Sequence, residues 1–543
     1  MSESLNKKGI FKKTAQVSGS TLLSRFLGIA REMIAARYMS PLVRDAFFTA
    51  FKIPNSLRKI FAEGALSAAM IPTVIKMRKD GERREINRLM TLSFLVFEGA
   101  LFALCLFMII KADTVIRFVM PGWYVNAGNF DFCGVIMPGA WCGLGVAQEQ
   151  ALYAVTYFRF FISFILFISS SSLLAAALQS VNHFLIPALG AAIINVFFVG
   201  GLFIGWLTGM DPKWVCLMAV FGALVQFSLH VAAYFYYGFS FERFTENTWG
   251  YFRKVIKKFL PCFCSMSVNE VCYFLDTSFA SYLPIGSIYV IHLTNRFMGI
   301  PLAVFVGAFS TILLPHFSRI STYAPKRLSF YLLESAKFVF WVTIPATIIM
   351  SFLSEKIFVT LFLSKNFTLD QVGAATWVFV AYIAGLSAFS LNKILLNIFY
   401  SLHNTTIPAV ISVVGMGTNL LLNFVLMPYF STMGLALATT SAGFIQTLAY
   451  VALLRIKFDF KFFYRNFMRF ASNYLLQLLV VLGALRLVYA ACIYGFMTYA
   501  GTWQHFFLET VAFWGWVAPL CALGVWALMR TKKVFGVDLY FLT

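Results

Sequence analysis

Charged residues are scarce in this chain. Asp, Glu, Lys and Arg together fill 12% of 543 positions, against roughly a quarter in a soluble domain. With 60% apolar and 18% aromatic residues there is too little polar side chain to cover a water-facing surface. Acidic residues are the rarest, 22 against 43 Lys and Arg, which leaves a net charge of +21. No Cys-x-x-Cys pair accompanies the nine cysteines and the six histidines are scattered, so no zinc or haem pattern is present. There is no G-x-x-x-x-G-K-[ST] loop and no polar stretch long enough for a soluble ATP-binding domain. The short alternating segments of a transmembrane β-barrel are missing too.

What the chain has is a succession of apolar runs of about 20 residues, the length a helix needs to cross a hydrocarbon core of about 30 Å. This predicts an all-α polytopic membrane protein. Fourteen spans are expected, near residues 15–38, 45–75, 88–110, 155–181, 184–208, 213–237, 254–283, 288–318, 329–352, 372–402, 405–429, 432–455, 470–498 and 506–530. Lys and Arg recur in alternate connections, NKKGIFKK, KMRKDGERREINR, RKVIKK, APKR, RIKFDFKFFYR and MRTKKVF, and are sparse in TGMDPKW, SYLPIG and MPYFST. Positive charge collects in short cytoplasmic loops, so both termini are expected inside and MSESLNKKGIFKK reads as a retained cytoplasmic start. The same pattern accounts for the net charge without a nucleic-acid partner. Cys133 and Cys142 share the long outside segment 121–154, and their pairing depends on an oxidising compartment. That segment either covers an outer gate or is padding.

An internal repeat organises the spans. GALSAAMIP (64–72) matches GAFSTILLP (307–315) at an offset of 243 residues, and QSVNHFLIPA (179–188) matches YSLHNTTIPA (400–409) at an offset of 221. The order is the same in both copies. Two six-helix lobes, 1–240 and 241–460, are therefore expected around a central cavity, with two appended helices in 461–543.

Charges inside the spans are uneven. Arg25, Arg31, Glu32 and Arg37 lie in the first, Asp45 to Glu63 in the second, Glu270 and Asp276 in the seventh and Arg296 in the eighth. Counting about 1.5 Å per residue, Arg25 and Arg58 sit about 18 and 21 Å from the cytoplasmic end of their spans, near mid-membrane. An ionisable group there costs at least about 2.5 kcal/mol, so hydration, pairing or a charged ligand must compensate. Internal pairing of Arg25 or Arg31 with Asp45 or Glu63 is one reading. The arginines and lysines outnumber the carboxylates, however, and surplus guanidinium suits a phosphate or diphosphate, which it binds with two parallel hydrogen bonds. On an ideal helix Lys52, Lys59 and Glu63 share a stripe and Arg58 lies about 100° away.

SRFLGIARE (24–32), RDAFFTAFKIPNSLRKIFAEGALSAAMIP (44–72), TNRFMGIP (294–301) and GAFSTILLP carry a resemblance to the MurJ (MviN) lipid II flippases, of the multidrug, oligosaccharidyl-lipid and polysaccharide exporter superfamily. The resemblance implies a transporter, not an enzyme, in the bacterial inner membrane. It would flip lipid II, the undecaprenyl-diphosphate-linked disaccharide pentapeptide, by alternating access, among membrane lipids and alongside the cell-wall synthesis machinery. The family's cavity residues fall on Arg25, Arg31, Asp45, Arg58 and Arg296, with Lys52 and Glu63 supporting, and its lipid-tail groove on 470–530. No organic cofactor is implied. A family sodium site falls on Asp276, Asn419, Asn423 and Thr439, with the Leu435 carbonyl. Asn423 stands where a carboxylate can occur, so sodium coordination and interhelical hydrogen bonding are equal readings of the pair. Asn295 stands before Arg296 where an Asp is common. The rival readings are an exporter of another polyprenyl-linked oligosaccharide or of drugs, and a membrane scaffold whose charges are only structural.

Overall fold

A computed structural model of the chain describes residues 7–80, 82–124, 144–181, 183–323, 327–402, 404–499 and 501–542. Cys133 and Cys142 lie outside the described residues. Among the described residues there are helices, their connections and one isolated bridge, Ser364 to Phe367.

The helices in order are α1 (Lys7–Tyr38), α2 (Pro41–Arg58), a π-helical turn π1 (Lys59–Leu66), α3 (Ser67–Lys79), α4 (Arg83–Ile110), α5 (Ala112–Val119), α6 (Leu144–Phe161), α7 (Phe164–Ser180), α8 (Leu185–Thr208), α9 (Lys213–Tyr236) and α10 (Glu246–Ala280). There follow α11 (Ser287–Pro301), a second π-helical turn π2 (Leu302–Gly307), α12 (Ala308–Tyr323), α13 (Leu328–Phe352), α14 (Ser354–Phe362), α15 (Leu369–Ala384), α16 (Leu386–Ser401), α17 (Thr406–Phe458), α18 (Tyr464–Tyr499), α19 (Gln504–Glu509) and α20 (Phe513–Thr531).

Among the described residues, nine helices are long and apolar enough to cross a membrane by length and composition, against the fourteen spans expected. Two effects separate the numbers. The helices α1, α2 and α10 carry charges that lower their apolarity, and the π turns divide the remaining segments so that α3, α11 and α12 are only 13, 15 and 16 residues long. And α17, at 53 residues, would run about 80 Å as one helix, far more than a bilayer. Ser431, with φ 51° and ψ −130°, breaks it into two. The segment 121–154 also differs from expectation. In place of the expected loop, its described residues form a 3-10 turn at Pro121–Tyr124 and a helix from Leu144 onward, where LGVAQEQALYAV carries good helix formers and an apolar face.

The two π turns are the structural trace of the repeat. At the offset of 243 residues Lys59–Leu66 corresponds to 302–309, and π2 begins at Leu302. Each follows a proline-bearing helix, with Pro54 inside α2 and Pro301 closing α11. Such widened turns are rare and recur at functional positions.

By internal packing the chain forms two compact units, 1–289 with 364–367, and 290–363 with 368–543. The packing boundary falls after α10, whereas the repeat places its boundary before it. In the first unit α1 packs along α8, where Gly205 leaves room for the Tyr38 ring; a Cβ there would come within 2.8 Å of it. Asn195 of α8 donates to the Ser24 carbonyl and hydroxyl oxygens at 3.2 and 2.9 Å. Phe47 and Phe51 of α2 meet Phe161 and Phe198 at ring separations of 5.1 to 5.8 Å. In lipid such close packing, together with hydrogen bonds, holds helices together, since expulsion of water adds little. In the second unit Trp341, Tyr474, Leu478 and Leu528 join α13, α18 and α20, and the chain end returns to bury Val537 and Leu539 against them.

Candidate functional site

Ser40 caps α2, its hydroxyl accepting from the Val43 amide at 3.4 Å, and Pro41 occupies the first turn, where its missing N–H costs nothing. This start directs the charges that follow. Arg44 is fully buried, donates to the Ala36 and Asn366 carbonyls at 3.3 and 3.0 Å and stacks on Tyr289, 4.3 Å from the ring centre. Asp45 accepts from the Gly286 amide at 2.7 Å, the Tyr289 amide at 2.9 Å and the Gln150 side chain at 3.3 Å. Its carboxylate therefore caps the first turn of α11, where orphan amides and the helix dipole favour negative charge. Arg44 and Gln150 were not singled out from sequence. Gln150 fell in a segment read as loop, and Arg44 was overlooked beside Asp45, although two adjacent charges in an oily helix were a usable signal.

Farther along α2 the charges face two ways. Lys52 donates to the Tyr273 carbonyl at 2.6 Å and to the Thr277 hydroxyl, both on α10. Lys59, at the start of π1, pairs with Glu270 at 3.1 Å, and Ser56 donates to the same carboxylate at 2.6 Å. Arg58 points elsewhere, as the helical wheel requires. Its Nε donates to Asn55 at 3.1 Å, and the side chain lines a polar cavity of about 220 Å³ with Ser171, Ser172, Gln179, Gln226 and His230. The Glu63 side chain lies outside what the structure describes.

The first span contributes two arginines in different settings. Arg31 is buried, pairs with its neighbour Glu32 at 2.8 Å and lies 4.9 and 5.3 Å from the Phe198 and Phe51 ring centres. The internal-pairing reading offers Asp45 or Glu63; the partner in the structure is Glu32, and Asp45 is engaged by the start of α11. Arg25 is half-buried and makes no hydrogen bond or ion pair with any described residue. Arg296, half-buried on α11 after Asn295, belongs to the second unit.

The residues considered for sodium divide between the units. Asp276 is buried on α10 in the first. In the second, Asn423 donates to Asn419 at 3.2 Å, Asn419 to the Thr439 hydroxyl at 3.1 Å, and Thr439 to the Leu435 carbonyl at 3.0 Å. Asn419, Thr439 and the Leu435 carbonyl each accept one of these bonds and the group is neutral, whereas a hard cation favours several oxygens with carboxylate among them. Of the three bonds, the one from Asn419 to Thr439 crosses the break at Ser431, and the other two lie within single helical segments. Among the described residues no group of three His, Cys, Asp or Glu could hold a metal ion.

The second unit also holds an apolar cavity of about 400 Å³ between α13, α18 and α20, lined by Ile348, Phe352, Leu475, Leu482, Tyr489 and Cys521 among others. Arg486 stands at this cavity with its guanidinium 5.5 Å from the Phe352 ring centre. Greasy walls with one cation suit an acyl or prenyl chain better than a headgroup.

The family model described as lipid II flippase MurJ matches residues 35–512. The chain belongs to the MurJ lipid II flippase family. A probable lipid II flippase MurJ of Vibrio cholerae is 26% identical over 98% of this chain and 97% of its own length. One from Buchnera aphidicola subsp. Schizaphis graminum is 30% identical over 80% of this chain and 82% of its own. Among solved structures, a lipid II flippase MurJ in an inward closed conformation superimposes with a TM-score of 0.69 at 23% identity, covering 86% of this chain and 92% of that one. An inward-facing multidrug resistance MATE transporter of the MOP superfamily superimposes at 0.65 with 10% identity, covering 82% and 99%, and shares the fold. The MurJ match spans Asp45, Lys52, Arg58 and both π turns.

Proposed function

We propose that this chain flips lipid II from the cytoplasmic to the periplasmic leaflet of the bacterial inner membrane. The observation that carries the reading is the match of the MurJ family along almost the whole chain. The proposal assigns fourteen spans with both termini cytoplasmic, lobes at 1–240 and 241–460, and a tail-binding pair of helices in 461–543.

In this account the diphosphate and sugars of the headgroup engage Arg25, Arg58 and Arg296, and the polyprenyl tail lies along the apolar cavity of α13, α18 and α20. Arg58 is supported in that role by its polar neighbours, whose hydroxyl and amide groups can bind sugar or phosphate oxygens. Arg25 is supported by its lack of any described partner. Arg31 and Asp45 act by positioning, the first through Glu32 and two aromatic rings, the second through the start of α11. Transport is alternating access without covalent chemistry, with Lys52 holding α2 and Lys59 holding π1 to α10 in the conformation described. No step uses sodium. Cell-wall synthesis enzymes are the expected partners, since they make the substrate inside and consume it outside.

The test is made in cells depleted of the protein and rescued with variants, reading lipid II exposed at the outer leaflet. Wild type restores exposure and growth; Arg58→Ala, inserted at the same level, restores neither. Normal export by Arg25→Ala, Arg58→Ala and Arg296→Ala would return the charges to a purely structural role.

A further inference from the structure

A buried acid outside this site has no part in it. Glu98 lies sixteenth in the 28-residue α4, about 22 Å along a helix of about 42 Å, and so near mid-membrane. It stands on the protein-facing stripe with Leu89, Met90, Ser93, Leu101 and Cys105, while Leu95, Phe102 and Phe107 of the same helix are exposed. It is 8% exposed, and among the described residues neither carboxyl oxygen has a hydrogen-bond partner.

The groups around it are few. The Ser169 and Ser170 hydroxyls of α7 lie beside it, and the Cys105 thiol follows two turns along its own helix. Among the described side chains, the helices packed on α4 carry Lys76 and Arg78 (α3), Asp113 and Arg117 (α5), Glu149 and Arg159 (α6), and Glu246, Arg253, Lys254, Lys257, Lys258, Glu270 and Asp276 (α10); α7 carries no charge. None of these pairs with Glu98. A bare carboxylate in such a place is expensive, and a proton is the ligand that removes the cost.

A second observation gives that proton somewhere to go. Residues 169–172 are four consecutive serines, which at 100° per residue wind nearly once round α7. Ser169 and Ser170 face Glu98, and Ser171 and Ser172 line the polar cavity of Arg58 and His230. Hydroxyls both donate and accept, and the run sets such groups on α7 from the acid round to the cavity, with the Ser171 hydroxyl donating to the Phe167 carbonyl at 2.7 Å in the conformation described.

We infer that Glu98 is a proton-binding site, joined by the serine run of α7 to the Arg58 cavity, and that its proton is exchanged during the transport cycle. The inference rests on the flippase reading and adds a driving ion to it. The test uses the full-length protein in proteoliposomes containing lipid II, with membrane potential clamped at zero and a pH difference imposed in either direction. For wild type the flipping rate should change between the two directions, by up to about tenfold per pH unit for one proton. For Glu98→Gln, which keeps the shape of the protonated acid, the two rates should be equal. A Glu98→Gln protein that responds like wild type, or a wild type indifferent to the gradient, overturns the proposal. A wild type that flips nothing under any pH gradient overturns this proposal, and one that also flips nothing under an imposed membrane potential removes the flippase reading with it. A second measurement holds even if the variant fails to insert. A hydrophobic carbodiimide, which reacts with protonated carboxyls, should label Glu98 of the wild-type protein near neutral pH and progressively less as pH rises. Peptide mass spectrometry finding no adduct at any pH overturns the proposal.

Discussion

Asp45→Asn is a substitution of almost equal shape with a large expected effect. The carboxylate accepts two backbone amides at the start of α11, one on each oxygen, at 2.7 and 2.9 Å. An amide side chain has one oxygen, so either Gly286 or Tyr289 must face an NH₂ group and loses its acceptor. A buried donor left unsatisfied costs about 1–3 kcal/mol, and loss of the charge at a helix start adds about 0.3–1 kcal/mol or more where it is buried. The start of α11 should loosen by about 2–4 kcal/mol, roughly 30- to 700-fold in its opening equilibrium. Hydrogen exchange at the 286–289 amides in detergent or nanodiscs reads this directly. Gln150→Leu removes only the longest of the three bonds and should cost about 1 kcal/mol. If Asp45→Asn leaves 286–289 exchange within threefold of wild type, Asp45 does not cap α11 and the positioning role assigned to it is wrong.

Three further outcomes follow from the same geometry. Reversing Lys59 or Glu270 singly should weaken the contact of π1 with α10, and the double exchange Lys59→Glu with Glu270→Lys should recover about 0.5–1 kcal/mol in a thermal-unfolding cycle, the modest sum reflecting the half-exposed lysine. Replacing sodium by potassium or choline should leave lipid II flipping unchanged, and Asn423→Asp should introduce a sodium response if a carboxylate is what the neutral trio lacks. In the connection between α9 and α10, the Asn87 amide donates to Glu242 at 2.8 Å and holds its carboxyl below the ordinary range, with Ser240, Arg88 and Arg84 assisting. A lowered folded value means the contribution is present above pH 4.5 and is lost as pH falls below it; exchange protection of 239–246 should drop there in wild type and show no such step in Asn87→Leu.

The sequence carried the class of fold and the family because both rest on features that survive without coordinates. Hydrophobic run length sets span number, and the shared GALSAAMIP pattern marks two places where the helix later proves to widen into a π turn. The wheel geometry of α2 was legible for the same reason, separating Arg58 from Lys52 and Lys59. Partners were less so. Arg31 pairs with the adjacent Glu32 while the start of α11 engages Asp45, and that second contact depends on residues 240 positions away in the chain. Gln150 was hidden in a stretch whose glycines, at 139, 143 and 145, mask a helix that starts at Leu144. The asparagine pair read equally as ion site or as hydrogen bond, since sequence spacing places the amides without saying what each oxygen accepts.

The central claim is that this protein moves lipid II and that Arg58 holds its headgroup. Purified wild type and Arg58→Ala, reconstituted at equal density with fluorescent lipid II, can be compared by bleaching the outer leaflet with a membrane-impermeant reductant. The account predicts that wild type renders the inner pool accessible while Arg58→Ala, equally folded, leaves it protected as in protein-free vesicles. Equal accessibility with both proteins would contradict the role of Arg58, and protection with both would contradict the function itself.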